Sequence, residues 1–219
     1  MSNYLGTFEK FILINMTKGA FVEMFGSSVL AGVAIAVGGF VNLALGGIAG
    51  AVFFTFGLLT VVHYRLKLYT GVVGFIDDMD GFWQSFLILA GNIVGCLLTA
   101  WLARLSPMDL QGAAQKILDG RLAIGPLRAG ALAIGCGFIV TTAVTFGRQE
   151  KWLPLLFGVP TFILCGFPHC IADAFYYLAV PCSSWHGQTG AILLLYVGIV
   201  IGNFIGCNLF RILVHYEKK

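Results

Sequence analysis

Residues 24–64 read MFGSSVLAGVAIAVGGFVNLALGGIAGAVFFTFGLLTVVHY, and no Asp, Glu, Lys or Arg interrupts them. A membrane-spanning helix needs about 20 mainly apolar residues. The stretch is therefore long enough for two such helices, with a turn at Gly46-Gly47 between them. Two further uncharged intervals follow, from Asp80 to Arg104 and from Arg128 to Arg148. This pattern predicts an all-α integral membrane protein.

The composition supports the same class. The 219 residues are 58% apolar and only 11% charged, whereas a soluble globular domain carries about 25% charged residues. A soluble enzyme is therefore excluded, and the net charge of +3 is too small for a nucleic-acid-binding surface. The six cysteines are spread singly, so the sequence predicts no metal site and no cofactor.

The number of spans determines whether the two termini lie on the same side of the membrane. A fifth uncharged run, from Trp152 to about Val180, is interrupted by charge only at Asp173, and a sixth runs from Gln188 to Phe210. Six spans place both termini on one side, and the positive-inside rule makes that side cytoplasmic. The basic residues that this orientation places inside are Lys10, Lys18, Arg148, Lys151, Arg211, Lys218 and Lys219. We therefore expect a multi-pass protein of the cytoplasmic (inner) membrane.

A single membrane domain is expected over residues 1–219. Phe8, Phe11 and Ile12 favour a short amphipathic helix at the membrane interface. The expected divisions are an interfacial helix at 1–20, a first three-span repeat at 24–105, an external connection at 106–128, a second three-span repeat at 129–211 and a cytoplasmic tail at 212–219.

A short motif occurs twice. Gly91-Asn92-Ile93-Val94-Gly95-Cys96 returns as Gly202-Asn203-Phe204-Ile205-Gly206-Cys207. Each copy closes a group of three spans, and an odd number of spans per group gives the two groups opposite orientations. The sequence thus favours an inverted 3+3 repeat, a common plan in transporters. Chance similarity between glycine-rich packing faces is the alternative.

Spans two and five, which correspond in this repeat, both carry helix-breaking residues. Arg65 and Lys67 precede Gly71 in the first case, and Pro160 and Gly166-Phe167-Pro168 occur in the second. Irregular backbone at membrane depth is tolerated where it lines a cavity or is buried in protein. Two broken helices at corresponding positions indicate the path of a substrate.

Few polar side chains lie deep in the apolar spans. His169 and Asp173 are four residues apart, so a helix places them on one face, and ionisable groups at this depth are usually functional. The alternative is a neutral histidine bonded to a neighbouring helix, with Asp173 as its orienting partner. Asn92 and Asn203 also need partners: for Asn92 a structural role is favoured, and for Asn203 substrate contact is equally open. By pattern alone, the apolar residues Phe54, Leu58 and Phe162 belong to the core.

The chain resembles the formate/nitrite transporter family over essentially its whole length. Leu68-Tyr69-Thr70-Gly71 is similar to the family's Leu-Phe-Thr-Gly/Ser loop. Gly166-Phe167-Pro168-His169-Cys170-Ile171-Ala172-Asp173 is similar to its Gly-Phe-Glu-His-Ser-Val/Ile-Ala-Asn motif. Together with the two Gly-Asn-x-x-Gly copies, this resemblance implies an aquaporin-like six-helix protomer and a homopentamer of anion channels embedded in lipid.

The resemblance also implies roles for individual residues. His169 would be the central pore histidine, with Thr70 opposite it and Asn203 beside it. The other implied positions are Leu68 and Tyr69 on a mobile loop, and Phe54, Leu58 and Phe162 at apolar constrictions. Three departures concern charge: Pro168 replaces a glutamate, Lys67 replaces an acidic residue, and Arg121 falls near a vestibule lysine. Lys67 and Arg121 are thus expected to attract anions. A fourth departure, Gly137 in place of an asparagine, removes one expected hydrogen bond to the pore.

The expected function is passage of small monovalent anions, such as formate, nitrite, hydrosulfide or short carboxylates, with protonation at His169. A channel for water or small neutral solutes is the alternative. The six-span repeat fits that class, but the sequence contains no Asn-Pro-Ala. A membrane enzyme using Cys170, His169 and Asp173 has thin support, and we predict no enzyme activity.

Overall fold

The computed structural model describes residues 17–214, and every regular element in this range is helical. The α-helices are α1 (Lys18–Leu45), α2 (Gly47–His63), α3 (Tyr69–Val72), α4 (Met79–Ala103), α5 (Leu110–Arg148), α6 (Leu153–Leu164), α7 (Cys170–Ala179), α8 (Thr189–Cys207) and α9 (Leu209–Val214). Two 3-10 turns lie at Val73–Phe75 and Cys182–Trp185. The predicted all-α membrane class is confirmed.

Four helices within the described residues are long and apolar enough to cross a membrane, namely α1, α4, α5 and α8. The regions predicted as spans two and five are instead built from shorter pieces. The chain leaves α2 after His63 and resumes as the one-turn helix α3, and it leaves α6 after Leu164 and resumes as α7. These are the two helix breaks expected from the sequence. That six spans cross the bilayer stays a prediction.

Glycines allow two pairs of helices to approach closely. A Cβ atom on Gly95 of α4 would lie 2.1 Å from the carbonyl oxygen of Val29 in α1. A Cβ atom on Gly206 of α8 would lie 2.0 Å from the carbonyl oxygen of Ile134 in α5. Small residues bring membrane helices into this kind of backbone contact. The α1–α4 and α5–α8 pairs are the frame that holds the short helices α3 and α7 between them.

Three of the expected divisions can be compared with the helices of the structure. Most of the connection predicted at 106–128 is helical, because α5 begins at Leu110 and bends only at Gly125 (φ 76°), just before Pro126. Of the interfacial helix predicted at 1–20, residues 1–16 lie outside the described range, and residues 18–20 belong to α1. Of the predicted tail, residues 212–214 belong to α9 and the rest lies outside that range.

Candidate functional site

His169 lies at the break between α6 and α7 and caps the N-terminus of α7. Its Nδ1 accepts a hydrogen bond from the Ala172 amide at 3.2 Å, and its own amide donates to Asp173 Oδ2 at 2.9 Å. These reciprocal bonds resemble a capping box with histidine at the N-cap position. Because Nδ1 accepts, a neutral imidazole here carries its proton on Nε2. The hydrogen bond at the helix end thus selects the tautomer of His169 that is protonated on Nε2.

That Nε2 faces the other half-helix. It lies 3.0 Å from Oγ1 of Thr70, and the tautomer makes the ring the donor of this bond. Both residues are buried: His169 is 2% exposed and Thr70 is 0% exposed. The structure therefore joins the starts of α3 and α7 through one buried hydrogen bond, between the two residues that the resemblance set opposite each other.

Asn203 holds the start of α7 in place. Its Oδ1 accepts from the Cys170 amide at 2.7 Å, and its Nδ2 donates to the carbonyls of Ala133 at 2.8 Å and Pro168 at 3.0 Å. Both the oxygen and the nitrogen of this amide thus bind backbone groups, and neither binds the imidazole in the described structure. Of the two roles left open for Asn203, the geometry displays the structural one.

Asn92 makes the same set of bonds at α3. It accepts from the Tyr69 amide at 2.9 Å and donates to the carbonyls of Ser28 at 2.7 Å and Lys67 at 2.9 Å. Tyr69 thus takes the place of Cys170, and Lys67 that of Pro168. By this register Leu68, which is fully buried, corresponds to His169.

The two cysteines of the repeated motif also match. Cys96 donates to the carbonyl of Ile171 at 3.3 Å, and Cys207 donates to the carbonyl of Thr70 at 3.4 Å. Each thiol therefore reaches the half-helix held by the other copy of the motif. The matched bonds support the internal repeat, and its inverted orientation in a bilayer stays a prediction.

Aromatic rings lie against one face of His169. The Phe162 ring stacks on the imidazole with centroids 5.6 Å apart, and it meets the Phe54 ring edge-on at 6.0 Å. Phe54, Leu58 and Phe162 are each at most 3% exposed. These three residues are packed as core residues would be, and Phe162 is also placed directly against the histidine.

A cavity of about 410 Å³, here called the Arg121 cavity, reaches His169 and Phe162 from one end of the molecule. Arg121 does not enter it as a free cation. Its Nε lies 3.0 Å from Asp173 Oδ1, and its Nη1 donates to the carbonyl of Gly166 at 2.5 Å. The expected anion-attracting charge of Arg121 is thus offset by a buried carboxylate.

Asp173 is a positioning residue in this arrangement. Its carboxylate accepts from the His169 amide, from Arg121 and, at 3.1 Å, from the Tyr177 hydroxyl. It is 1% exposed. A buried carboxylate requires such partners, and together they fix the first turn of α7 and therefore the imidazole.

Another cavity, here called the Arg148 cavity, has a volume of about 550 Å³ and lies at the C-terminal ends of α2 and α5. Lys67, Arg65 and Arg148 contribute cations to its lining. Gly71, which directly follows Thr70, is also part of that lining. The Thr70–His169 pair therefore lies between two cavities.

Sequence reasoning did not assign Tyr176, Asn42 or Arg148 to the site. Tyr176 lies seven residues after His169 on the same face of α7, and its hydroxyl accepts from Asn42 Nδ2 at 3.0 Å within the Arg121 cavity. A helical-face count from His169 would have found it. Arg148 donates to the carbonyl of Gly71 at 2.7 Å, a contact between distant segments that no local pattern predicts.

Within residues 17–214 there is no group of three or more His, Cys, Asp or Glu side chains placed to hold a metal ion. The site consists of hydrogen-bond donors and apolar rings around a buried histidine. Two broken helices that meet at such a residue in a helical membrane protein are typical of channels and transporters.

The formate/nitrite transporter family model matches residues 12–217, so the chain belongs to that family. A curated relative, a formate-nitrite transporter of Entamoeba histolytica, is 30% identical over 245 aligned residues, covering 94% of this chain and 68% of the relative. Members of this family are transporters and channels, not enzymes.

Two solved structures share the fold. A pentameric formate channel with formate bound superposes with a TM-score of 0.75 at 23% identity, over 91% of this chain and 98% of that chain. An ion channel of the same family superposes with a TM-score of 0.70 at 15% identity, over 95% of this chain and 94% of that chain.

Proposed function

We propose that this protein conducts small monovalent anions, with formate, nitrite, hydrosulfide and short carboxylates as the substrate class, and that His169 exchanges a proton with them. The observation that carries this proposal is the buried bond from His169 Nε2 to Thr70 Oγ1, 3.0 Å long, between two cavities. Membership of the formate/nitrite transporter family supports the same substrate class.

The proposed path begins in the Arg121 cavity and ends in the Arg148 cavity. Between them an anion passes Phe162 and Phe54, reaches His169 and Thr70, and leaves beside Leu68. Each of these five side chains is at most 3% exposed, so the path is closed in the form described. Entry into this apolar stretch strips water from the anion, which costs several kcal/mol without compensating hydrogen bonds.

His169 offers that compensation. Its Nε2–H can turn from Thr70 to an anion oxygen, and a hydrogen bond to a charged acceptor is stronger than one to a hydroxyl. An anion beside the ring favours the cationic imidazolium, whose second proton comes from water in either cavity. Transfer of one proton from this cation to the anion leaves a neutral imidazole and a neutral acid, whose desolvation cost is far smaller. The bonds at Ala172 and Asp173 orient the neutral ring so that its Nε2 faces Thr70.

Charges in the cavities serve to concentrate anions. In the Arg121 cavity the exposed side chain of Lys116 is the cation that remains after Arg121 pairs with Asp173. In the Arg148 cavity Arg65, Lys67 and Arg148 outnumber the one acidic residue, Glu150. Clefts lined by one sign of charge raise the local concentration of the opposite ion.

Uptake into liposomes tests this function. We expect formate, nitrite, hydrosulfide, acetate and lactate to enter faster at pH 5 than at pH 7.5, and glycerol-driven swelling to match that of empty liposomes. His186→Asn is a matched control, because His186 is an exposed histidine in a loop, and it should transport as the parent does. Fast swelling in glycerol without anion uptake would identify a channel for neutral solutes instead.

We further propose that the protein forms a homopentamer in the cytoplasmic membrane, with both termini in the cytoplasm. Large apolar side chains are widely exposed on the single chain, including Phe53 at 60%, Phe56 at 64% and Phe157 at 71%. Lipid and neighbouring copies can cover such a surface. The pentameric formate channel of the same fold supports the number of copies, which native mass spectrometry of the purified protein measures.

A further inference from the structure

The half-helix α3 ends after one turn, and side chains bind the carbonyls that this end exposes. A helix leaves its last carbonyls without intrahelical donors. Arg148 Nη2 donates to Gly71 at 2.7 Å, Asn208 Nδ2 donates to Val73 at 3.1 Å, and Arg211 donates to Ile76. The matching half-helix α7 continues for ten residues. Side chains also bind the end of α7, where Arg104 donates to the carbonyl of Leu178 at 3.3 Å and Trp185 to that of Tyr177 at 3.0 Å. The position of α3 depends more on such contacts, because its single turn provides few backbone bonds of its own.

Of these three donors, Arg148 binds the carbonyl that lies closest to Thr70 in the sequence. It binds the carbonyl of Gly71, the residue after Thr70, and its guanidinium lies 4.5 Å from the centre of the Phe75 ring. Thr70 meets His169 at 3.0 Å. A shift of Gly71 is thus passed through one peptide unit to the hydroxyl that faces the imidazole.

Arg148 also lines a cationic cavity. Arg65 and Lys67 lie in the same lining, with Glu150 as the one acidic residue. Arg65 (φ 53°) and Glu150 (φ 62°) are the two non-glycine residues with positive φ within the described range. Both residues close the C-terminal end of a helix, α2 or α5, in the left-handed conformation that is common at this position.

We propose that the Arg148 cavity binds a small monocarboxylate or comparable oxyanion, and that this binding controls the position of Thr70. A carboxylate is a stronger acceptor for a guanidinium than a peptide carbonyl is, and it can bind two guanidinium nitrogens at once. An anion in the cavity therefore draws Arg148 away from Gly71. Freed from this bond, α3 moves, and the bond between Thr70 and His169 lengthens. The proposal rests on the proposed function for the chemical class of the ligand.

Hydrogen exchange of the full-length protein in nanodiscs tests the proposal, with sodium formate as the probe and neutral formamide as its uncharged control. In the parent protein, formate should speed exchange of the amides from Tyr69 to Phe75, and formamide should not. Arg148→Gln should exchange this segment about tenfold faster without any anion, as expected for loss of a hydrogen bond from a charged group. Formate should add nothing further in that variant.

Arg65→Gln is the matched control, because it removes the same charge from the same cavity without removing a bond to α3 in the described structure. Its exchange without anion should equal that of the parent, while at least threefold more formate should be needed for the same effect. Arg148→Lys, which keeps the charge, should retain part of the formate response. The proposal would be overturned if Arg148→Gln exchanged like the parent, or if formamide had the same effect as formate. It would also be overturned if Arg65→Gln and Arg148→Gln behaved identically.

The readout does not depend on transport. If the exchange results are as expected but liposomes take up no anion, the proposed function fails and the anion site stands. If liposomes take up anions but formate leaves the exchange of this segment unchanged, the site fails and the proposed function stands.

Discussion

The proton on His169 Nε2 has one partner in the closed form, Thr70 Oγ1. His169→Asn keeps a polar side chain but cannot exchange a proton near neutral pH, so anion uptake should continue and lose its dependence on pH. His169→Phe offers no donor where the anion is most desolvated, so anion uptake should fall at least tenfold. Uptake of formate between pH 5 and pH 8 measures both effects.

Both variants must first be shown to assemble like the parent, because His169 also caps α7. Asn is among the preferred N-cap residues, so His169→Asn should preserve that helix start. An unaltered pH profile in His169→Asn would mean that the histidine is only a structural donor.

The constriction gives a second prediction. Phe162→Ala and Leu58→Ala each remove a buried apolar side chain from the expected constriction, so anion flux should rise or larger carboxylates should enter. Truncation of this kind costs about 2–5 kcal/mol in a soluble core, which makes reduced thermal stability the result expected of a purely structural residue. Uptake of formate and lactate, compared with the thermal midpoint of the detergent-solubilised protein, distinguishes a constriction residue from a purely structural one.

Phe157→Ala provides the control for this pair, since Phe157 lies on the same helix as Phe162 but is 71% exposed. It should leave the anion flux and the size selectivity near those of the parent. Well-assembled Phe162→Ala protein with unchanged flux and unchanged selectivity would argue against a constriction at this position.

At the element scale, glycine contacts set the spacing of the paired helices. Gly206→Ala would place a Cβ atom 2.0 Å from the carbonyl oxygen of Ile134, whereas Gly190→Ala, on the same helix, meets nothing within 4 Å. The first change must push α8 away from α5, so the thermal midpoint should fall by several degrees. The second should leave it unchanged or raise it slightly, because alanine favours helix over glycine. Equal effects of the two would contradict the close packing.

The sequence predicted some elements and missed others for identifiable reasons. The uncharged run at 24–64 and the breaks around Gly71 and Pro168 follow from the cost of exposing charge and backbone to lipid, so they could be predicted. The first part of α5 could not, because residues 110–124 are polar enough to resemble a loop, and the bend at Gly125 hides its continuity with the span.

The side-chain contacts of the site were predictable only in part. Residue type and spacing selected His169 and Asn92 as polar groups that need partners. The partner of each depended on the tertiary arrangement: the tautomer of His169 comes from the Ala172 amide, and the pairing of Arg121 with Asp173 joins residues from α5 and α7. Local sequence carries no record of such pairings.

Across the whole molecule, matching bonds hold the two half-helices, but the half-helices differ in length. Asn92 and Asn203 each hold one half-helix through three backbone groups, and these groups correspond between the two repeats. However, α7 runs for ten residues and α3 for four. Short elements that depend on side-chain contacts open most easily. Movement that opens the path should therefore originate at α3 and the Arg148 cavity.

The orientation of the protein in the membrane determines which cavity faces outward. If both termini are cytoplasmic, the Arg121 cavity opens outward, and a cysteine at Lys116 should react with an impermeant maleimide in intact cells. Cysteines at Lys151 and Lys218 should react only after the membrane is permeabilised. Lys116 and Lys151 are exposed side chains on opposite ends of the described molecule, so their reactivity reports the side of the membrane.

The parent for this labelling should carry Cys165→Ser and Cys182→Ser, because these two cysteines are exposed and the other four are buried. It should give no signal before or after permeabilisation, and it should still take up formate. Labelling of Lys151→Cys but not Lys116→Cys in intact cells would reverse the orientation, and the Arg148 cavity would then face outward. The positive-inside rule makes that reversal unfavourable, since Arg148, Lys151 and Arg211 would all have to lie outside.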